Sequence, residues 1–177
     1  MSSEKEKIVL AVCGSVAAVE VPKIVRELRR EGFEVECVMS LAAQRIIHPD
    51  VLTWASGSKV ITDIGGGVEH VRLCGINGEA SLLLVCPATA NTLSKIACGI
   101  SDGPVTTFAS TALGSAIPVM LAPAMHLSLY RNPLVMENME KIRGHGVELI
   151  KPKVEEDKAK MADTCGIIKA VIGILKR

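Results

Sequence analysis

Apolar residues fall in two patterns along this chain, short unbroken runs and helical stripes, and the two alternate. K-I-V-L-A-V-C over 7–13 is a continuous apolar run, the mark of a strand covered on both faces. Gly14-Ser15 breaks it. Val21, Ile24, Val25 and Leu28 then recur at i, i+3, i+4 and i+7, with Arg26, Arg29 and Arg30 facing outward. Gly32 ends that helix. F-E-V-E-C-V-M over 33–39 alternates and then runs apolar, which predicts a second strand. The three form a βαβ unit, for which a parallel, right-handed crossover is expected.

The alternation continues. A short helix is predicted over 42–47, ending before Pro49, and I-G-G-G-V over 64–68 reads as loop. S-L-L-L-V-C over 81–86 predicts a buried strand halted by Pro87. Leu93, Ile96, Ala97 and Ile100 give one helical face, and 117–121 is a further strand halted by a proline. A helix is expected over 132–145, a last strand over 147–150, and a C-terminal helix with Ile168, Val171, Ile172 and Leu175 inward. Strands alternating with helices predict the α/β class with a parallel, doubly wound sheet.

Composition narrows this picture. A length of 177 residues suits one domain over 1–177. Hydrophobic residues make up 49% and aromatics only 2%, so the core is aliphatic. A net charge of +1 carries no nucleic-acid footprint. The mean hydropathy of +0.36 points to apolar surface buried between subunits. No run of 18 apolar residues predicts a membrane helix, and the polar M-S-S-E-K-E-K start fits no secretory signal. The six cysteines form no C-x-x-C pair. They read as free, buried thiols of a cytoplasmic protein, with no metal site.

In a doubly wound sheet, ligands bind at the carboxyl ends of the strands. The loops there read C-G-S-V-A-A from Cys13, M-S-L-A-A from Met39, C-P-A-T-A-N-T from Cys86 and A-P-A-M-H from Ala122. Gly14, Ser15, Ser40, Thr89, Asn91 and Thr92 place small residues and hydroxyls where helix-start N–H groups are open to an anion. Each hydroxyl alone also reads as a helix N-cap. Several strand ends agreeing favours a cradle for one phosphate and the polar edge of a ring. Neither G-x-G-x-x-G nor a Walker A loop is present, so a mononucleotide is the better fit.

The opening V-C-G-S-V-A-A-V-E-V-P-K-I-V-R-E-L-R-R-E-G, V-E-H-V-R-L over 68–73, P-A-T-A-N-T-L-S-K-I-A-C-G-I-S-D-G-P-V-T-T over 87–107 and A-P-A-M-H-L-S-L-Y-R-N-P carry a resemblance. From Ile8 to about Val171 the chain resembles the homo-oligomeric flavin-containing cysteine decarboxylases, most of all those that act on phosphopantothenoylcysteine. The resemblance implies a flavodoxin/Rossmann-like three-layer sandwich that binds FMN. It assigns the cofactor to Gly14, Ser15, Val16, Ala17, Ser40, Ala88, Thr89, Ala90, Asn91, Thr92, Asp102, Thr106, Ala124 and Met125. It assigns the substrate to Asn91, Met125, His126 and Lys160, and catalysis to His70, facing the flavin of a neighbouring subunit.

The implied reaction oxidises the cysteinyl Cβ–S unit of a small-molecule or peptidyl substrate to a thioaldehyde, releases CO₂, and returns a hydride to the enethiol, as in coenzyme A biosynthesis. The implied assembly is a homotrimer or a larger assembly of trimers, and the implied flap spans 153–162 and is flexible. Three features depart from the family pattern. His126 stands where the family has asparagine, and Leu129-Tyr130 replaces Met-Trp. V-E-E-D-K over 154–158 lacks the flap cysteine, while Cys165 falls in the segment that opens the last helix. At this level an FMN electron-transfer protein, a flavin-dependent reductase and a flavin-storing subunit remain alternatives.

Overall fold

Successive side chains of the first strand face opposite ways, and both faces are covered. The computed structural model describes residues 5–176. In chain order these give β1 (Lys7–Val12), a 3₁₀ turn (Val16–Glu20), α1 (Val21–Arg30), β2 (Glu34–Met39), α2 (Leu41–Gln44) and α3 (Pro49–Ser56). Then come α4 (Glu69–Cys74), β3 (Leu82–Ala88), α5 (Ala90–Ala97), α6 (Pro104–Gly114), β4 (Val119–Pro123), β5 (Met125–His126) and α7 (Leu127–Tyr130). The chain continues through α8 (Pro133–Gly144), β6 (Glu148–Leu149), β7 (Lys153–Glu155), β8 (Lys158–Lys160) and α9 (Thr164–Leu175).

Ile8, Leu10 and Val12 of β1 pack with Ile24 and Leu28 of α1, Leu52 of α3 and Ile167 of α9. Val9 and Ala11 pack on the other side with Leu93 of α5, Phe108 of α6 and Val135 of α8. Fully burying one such side chain contributes about 1.5–3 kcal/mol. A one-residue slip would exchange the two sets of side chains, so register is tightly specified. The five-stranded sheet runs β2-β1-β3-β4-β6, parallel throughout. This is the expected doubly wound α/β sandwich, in the flavodoxin-like strand order. The order reverses at β1, so a crevice opens between the carboxyl ends of β1 and β3.

Prolines behave differently from the sequence expectation. Pro49 starts α3 rather than closing off a helix, because the first helical position needs no N–H. β3 runs on through Pro87 to Ala88, with a register shift against β4 between Val85 and Ala88. The Pro87 carbonyl still accepts a hydrogen bond from the Cys13 N–H at 3.3 Å. β4 likewise includes Pro123. Ile100 falls outside α5, which ends before Gly99 at φ +69°, and is exposed.

Helices α3, α4 and α6 are additions to the elements read from the pattern. The strand expected over 147–150 is present as the shorter β6, Glu148–Leu149, paired parallel with β4 at the sheet edge, but it is not the last strand. A hairpin follows it, where the flap was expected. Its turn, Glu156-Asp157, has φ of 46° and 56°, as a two-residue type I′ loop requires. β8 pairs antiparallel with both β7 and β5, setting Met125 opposite Ala159 and His126 opposite Lys158.

The cysteine expectation holds for four residues. Cys13, Cys37, Cys74 and Cys86 are buried free thiols, whereas Cys98 and Cys165 are exposed. Burial pushes the Cys13 thiol up to about 11, against a smaller lowering from bonds to Thr92 and Thr89.

Candidate active site

Three strand ends build a backbone cradle. After β1 the chain turns at Cys13, and the Ser15 Oγ accepts from the Ala17 N–H at 3.4 Å to start the 3₁₀ turn. After β2, the Ser40 Oγ accepts from the Ala43 N–H at 3.2 Å, and the Ser40 N–H donates to the Val12 carbonyl at 3.0 Å. After β3, the Thr89 Oγ1 accepts from the Thr92 N–H at 3.3 Å and caps α5. Both readings of these hydroxyls therefore coexist. Each is an N-cap, and the serine O–H protons are left to donate to a ligand.

Gly14 lets the first two ends meet. A Cβ placed on it would lie 2.5 Å from the Ala42 Cβ and 3.2 Å from the Ala42 carbonyl carbon. Only a residue without a side chain fits there. The Ala124 N–H donates to the Ala88 carbonyl at 3.0 Å, which brings the end of β4 alongside the end of β3.

Beside the cradle lies a cavity of about 800 Å³. It gathers Ser15, Val16, Ala17, Ala124, Met125, His126 and Lys160 from among the sequence-assigned residues. The loop after β1 belongs to both cradle and cavity. The remaining walls are Val19, Glu20 and Lys23 around the start of α1, Lys158 and Ala159 of β8, and the segment from Met161 to Cys165. None of these had been assigned to a site. The available signal was K-A-K-M-A-D, a short alternating run followed by an aspartate that caps a helix. The Asp163 carboxylate does accept from the Gly166 N–H, at 2.7 Å.

Other assigned residues lie outside this cavity. Ala88, Ala90 and Thr92 are buried in β3 and the first turn of α5, and Asn91 is exposed on that turn. Asp102 receives a hydrogen bond from Lys95 Nζ at 2.6 Å, which holds its carboxyl below the usual range. The Thr106 hydroxyl accepts from the Gly103 N–H at 3.2 Å at the start of α6. His70 lies on α4, edge-on to Phe108 at 6.3 Å between ring centroids. Its Nδ1 is buried without a hydrogen-bond partner, as is Oε2 of Glu69. Val68 and Val71, on either side of His70 in the chain, are each 50% exposed.

His126 has a defined donor. Its Nδ1 accepts from the Ser128 N–H at 3.3 Å and lies 2.8 Å from the Ser128 Oγ. A ring nitrogen that accepts an N–H carries no proton, so the neutral ring's proton sits on Nε2. In that tautomer Nε2–H is the donor His126 has for the cavity it lines, as the amide of an asparagine would have.

The chain belongs to the Flavoprotein family. The match runs over residues 1–176. Among relatives, it is 54% identical over 168 residues to the coenzyme A biosynthesis bifunctional protein CoaBC of Thermococcus kodakarensis, covering 94% of this chain and 41% of that protein. The chain therefore spans about two-fifths of that relative's length. It is 34% identical over 153 residues to a probable phosphopantothenoylcysteine decarboxylase of Streptococcus mutans, covering 84% of this chain and 83% of that protein. The solved structure of the FMN-dependent cysteine decarboxylase SpaF matches with a TM-score of 0.81 at 31% identity, covering 96% of this chain and 97% of that one.

The close approach at Gly14 gives a direct test of the cradle. Gly14→Ala overpacks the contact with Ala42 and is expected to cost about 1–3 kcal/mol. That lowers Tm by roughly 2–12 °C for a chain of this size in a calorimetric scan. Gly114→Ala, in a helix end with open space around it, is the control and leaves Tm unchanged or raised. Equal Tm values for wild type and Gly14→Ala would show that the two strand ends do not meet as described.

Proposed function

We propose that this chain is an FMN-binding decarboxylase of a cysteinyl carboxylate, with phosphopantothenoylcysteine as its substrate. The observation that carries the reading is the shared loop Ser15–Ala17, which joins the strand-end cradle to a cavity closed by Met125, His126 and the β8 strand. The cradle suits FMN. Ser15, Ser40 and Thr89 stand at three neighbouring strand ends with helical N–H groups behind them. Gly14 keeps the space between the first two free of a side chain. When bound, FMN supplies a two-electron acceptor, and later donor, for the substrate's Cβ–S unit.

The chain's own groups do the rest. His126 donates its Nε2–H to the substrate carboxylate, in the place of the family's asparagine amide. Met125 and the apolar walls exclude water, so the carboxylate is poorly solvated and leaves more readily as CO₂. Once the cysteinyl unit is oxidised to a thioaldehyde, its sulfur accepts the electron pair released with CO₂, giving an enethiolate. Cys165, in the first turn of α9 and lining the cavity, supplies the proton when the enethiol is reduced. It thus takes over from the flap cysteine that this chain lacks.

His70 is the base for the thiol proton, acting on a neighbouring subunit's site. Its unpartnered Nδ1 and the exposed Val68 and Val71 support that placement. We accordingly propose a homotrimer, or assemblies of trimers, with sites at subunit boundaries. The six free cysteines suit a reducing compartment, the cytoplasm.

The test is anaerobic incubation of the FMN-loaded protein with phosphopantothenoylcysteine, followed by mass spectrometry. Wild type is expected to release CO₂ and yield the saturated thiol, two hydrogens heavier than the enethiol. His70→Asn is expected to lose decarboxylation by about 100-fold or more, in the range of general-base removal, while keeping FMN. Cys165→Ser is expected to accumulate the enethiol. Intact substrate with wild-type protein would overturn the decarboxylase reading in favour of an electron carrier. Assembly is read separately by light scattering. Three copies of an 18.8 kDa chain give about 56 kDa or a multiple of it, and a monomer would remove His70 from any site.

A further inference from the structure

His70 rides on a helix with few anchors of its own. α4 has six residues and follows a run of three glycines. Val68, at its cap position, has φ of 42° and forms no side-chain cap. Within α4 only Leu73 and Cys74, at the far end, are buried, in the layer that also holds Val38 of β2. The His70 ring adds an edge-on contact with Phe108, but its buried Nδ1 has no hydrogen-bond partner. A helix this short depends on tertiary contacts for its place.

Arg72 supplies the missing anchor. Its Nη2 donates to Glu36 Oε2 at 2.9 Å and its Nη1 to Glu36 Oε1 at 3.3 Å, a two-pronged grip on a carboxylate of β2. Nη1 also donates to both carboxylate oxygens of Glu79 at 3.1 Å. Lys7 of β1 closes the cluster, donating to Glu36 at 3.3 Å and to Glu79. The backbone repeats the tie, since the Glu79 N–H donates to the Arg72 carbonyl at 3.1 Å. Glu36 is the fixed point. It stands two residues before Val38, on the same face of β2, and its side chain is only 17% exposed. A carboxylate drawn that far out of water has to be paired. Isolated surface ion pairs contribute little, but a forked arginine within a network does hold geometry.

Successive residues of a helix turn by about 100°, so Arg72 stands about 200° round from His70, on the opposite side of α4. Holding one side of a short helix sets the direction of the other. Resting on the reading of His70 as the base, we infer that Arg72 is a positioning residue for it. The fork to Glu36 and Glu79 sets the rotation of α4 against β2, and with it the place of the His70 ring. Arg72 does not line the cavity, so it acts through the helix alone. Lysine at this position would keep the charge but lose the fork. Misplacing a reacting group by about 1 Å costs up to about 100-fold in rate, so a small turn of α4 is enough to be seen.

Nuclear magnetic resonance of the FMN-loaded protein with ring-labelled histidine tests the placement without requiring turnover. The chain has four histidines, and His70→Asn identifies the signal of His70. In Arg72→Met that signal is expected to move, because the ring shifts against Phe108, while the other histidine signals stay in place. Arg72→Lys is expected to move it less, and decides the matter if the methionine variant does not fold. Arg30→Met, which breaks an exposed pair with Glu27, is the control and leaves it unmoved. In turnover, Arg72→Met is expected to lower kcat by about 10- to 100-fold, with KM and FMN content unchanged. It is expected to add no further loss in a His70→Asn background, where no base is left to misplace. A His70 signal unmoved in both Arg72 variants, or a loss of equal size in both backgrounds, would overturn the inference. Intact substrate with wild-type protein would sink the decarboxylase reading, and the signal alone then decides whether Arg72 places His70.

Discussion

The close contact between Gly14 and Ala42 fixes much of this structure. A single methyl group at Gly14 would sit 2.5 Å from the Ala42 Cβ, so the loops after β1 and β2 meet backbone to side chain with no room between. The Cys13 N–H and Pro87 carbonyl tie the same loop to the end of β3. Three strand ends are thereby gathered at the point where the strand order reverses, the place where open α/β sheets bind ligands. The two hydrophobic layers on either side of β1 hold this arrangement rigid.

The cavity is lined by polar groups of different kinds, supplied by separate elements. The Ser128 N–H donates to His126 Nδ1 at 3.3 Å, which turns Nε2 toward use as the ring's donor. Lys23 stands on α1 and Lys158 and Lys160 on the hairpin, and the hairpin also supplies Glu155 and Glu156 to restrain Lys160. The hairpin is thus more than a cover. It pairs with the segment that carries Met125 and His126, so cavity-lining residues of two distant stretches are joined in one small sheet.

The sandwich was legible because β1, β2 and β3 are apolar enough to declare burial on both faces, and α1 and α9 carry clean helical stripes. The strand-end loops were legible for the same reason, since topology alone says where ligands sit. What escaped was local. Pro87 and Pro123 looked like stops, yet a strand can include a proline where its N–H is not needed. α4 has six residues after three glycines, too short for a periodic signal. α6 does carry a helical signal, with buried Val105, Phe108, Ala109 and Ala112 at helical spacing behind Pro104, but threonines and a serine between them blur the stripe. The hairpin was hidden because Glu-Asp is an uncommon pair for a type I′ turn, where asparagine and glycine are preferred. His70 was assigned by resemblance, and one chain does not bring it to the cavity.

The central claim is that the strand-end cradle of this chain is a flavin site. Titration of the purified apoprotein with FMN, followed by absorbance after gel filtration, tests it most directly. One FMN retained per chain is the expected result, with affinity reduced about tenfold when Ser15 and Ser40 are both changed to alanine and their hydroxyl donors are lost. A protein that remains colourless after exposure to FMN, or one that binds it equally well without those hydroxyls, would contradict the account.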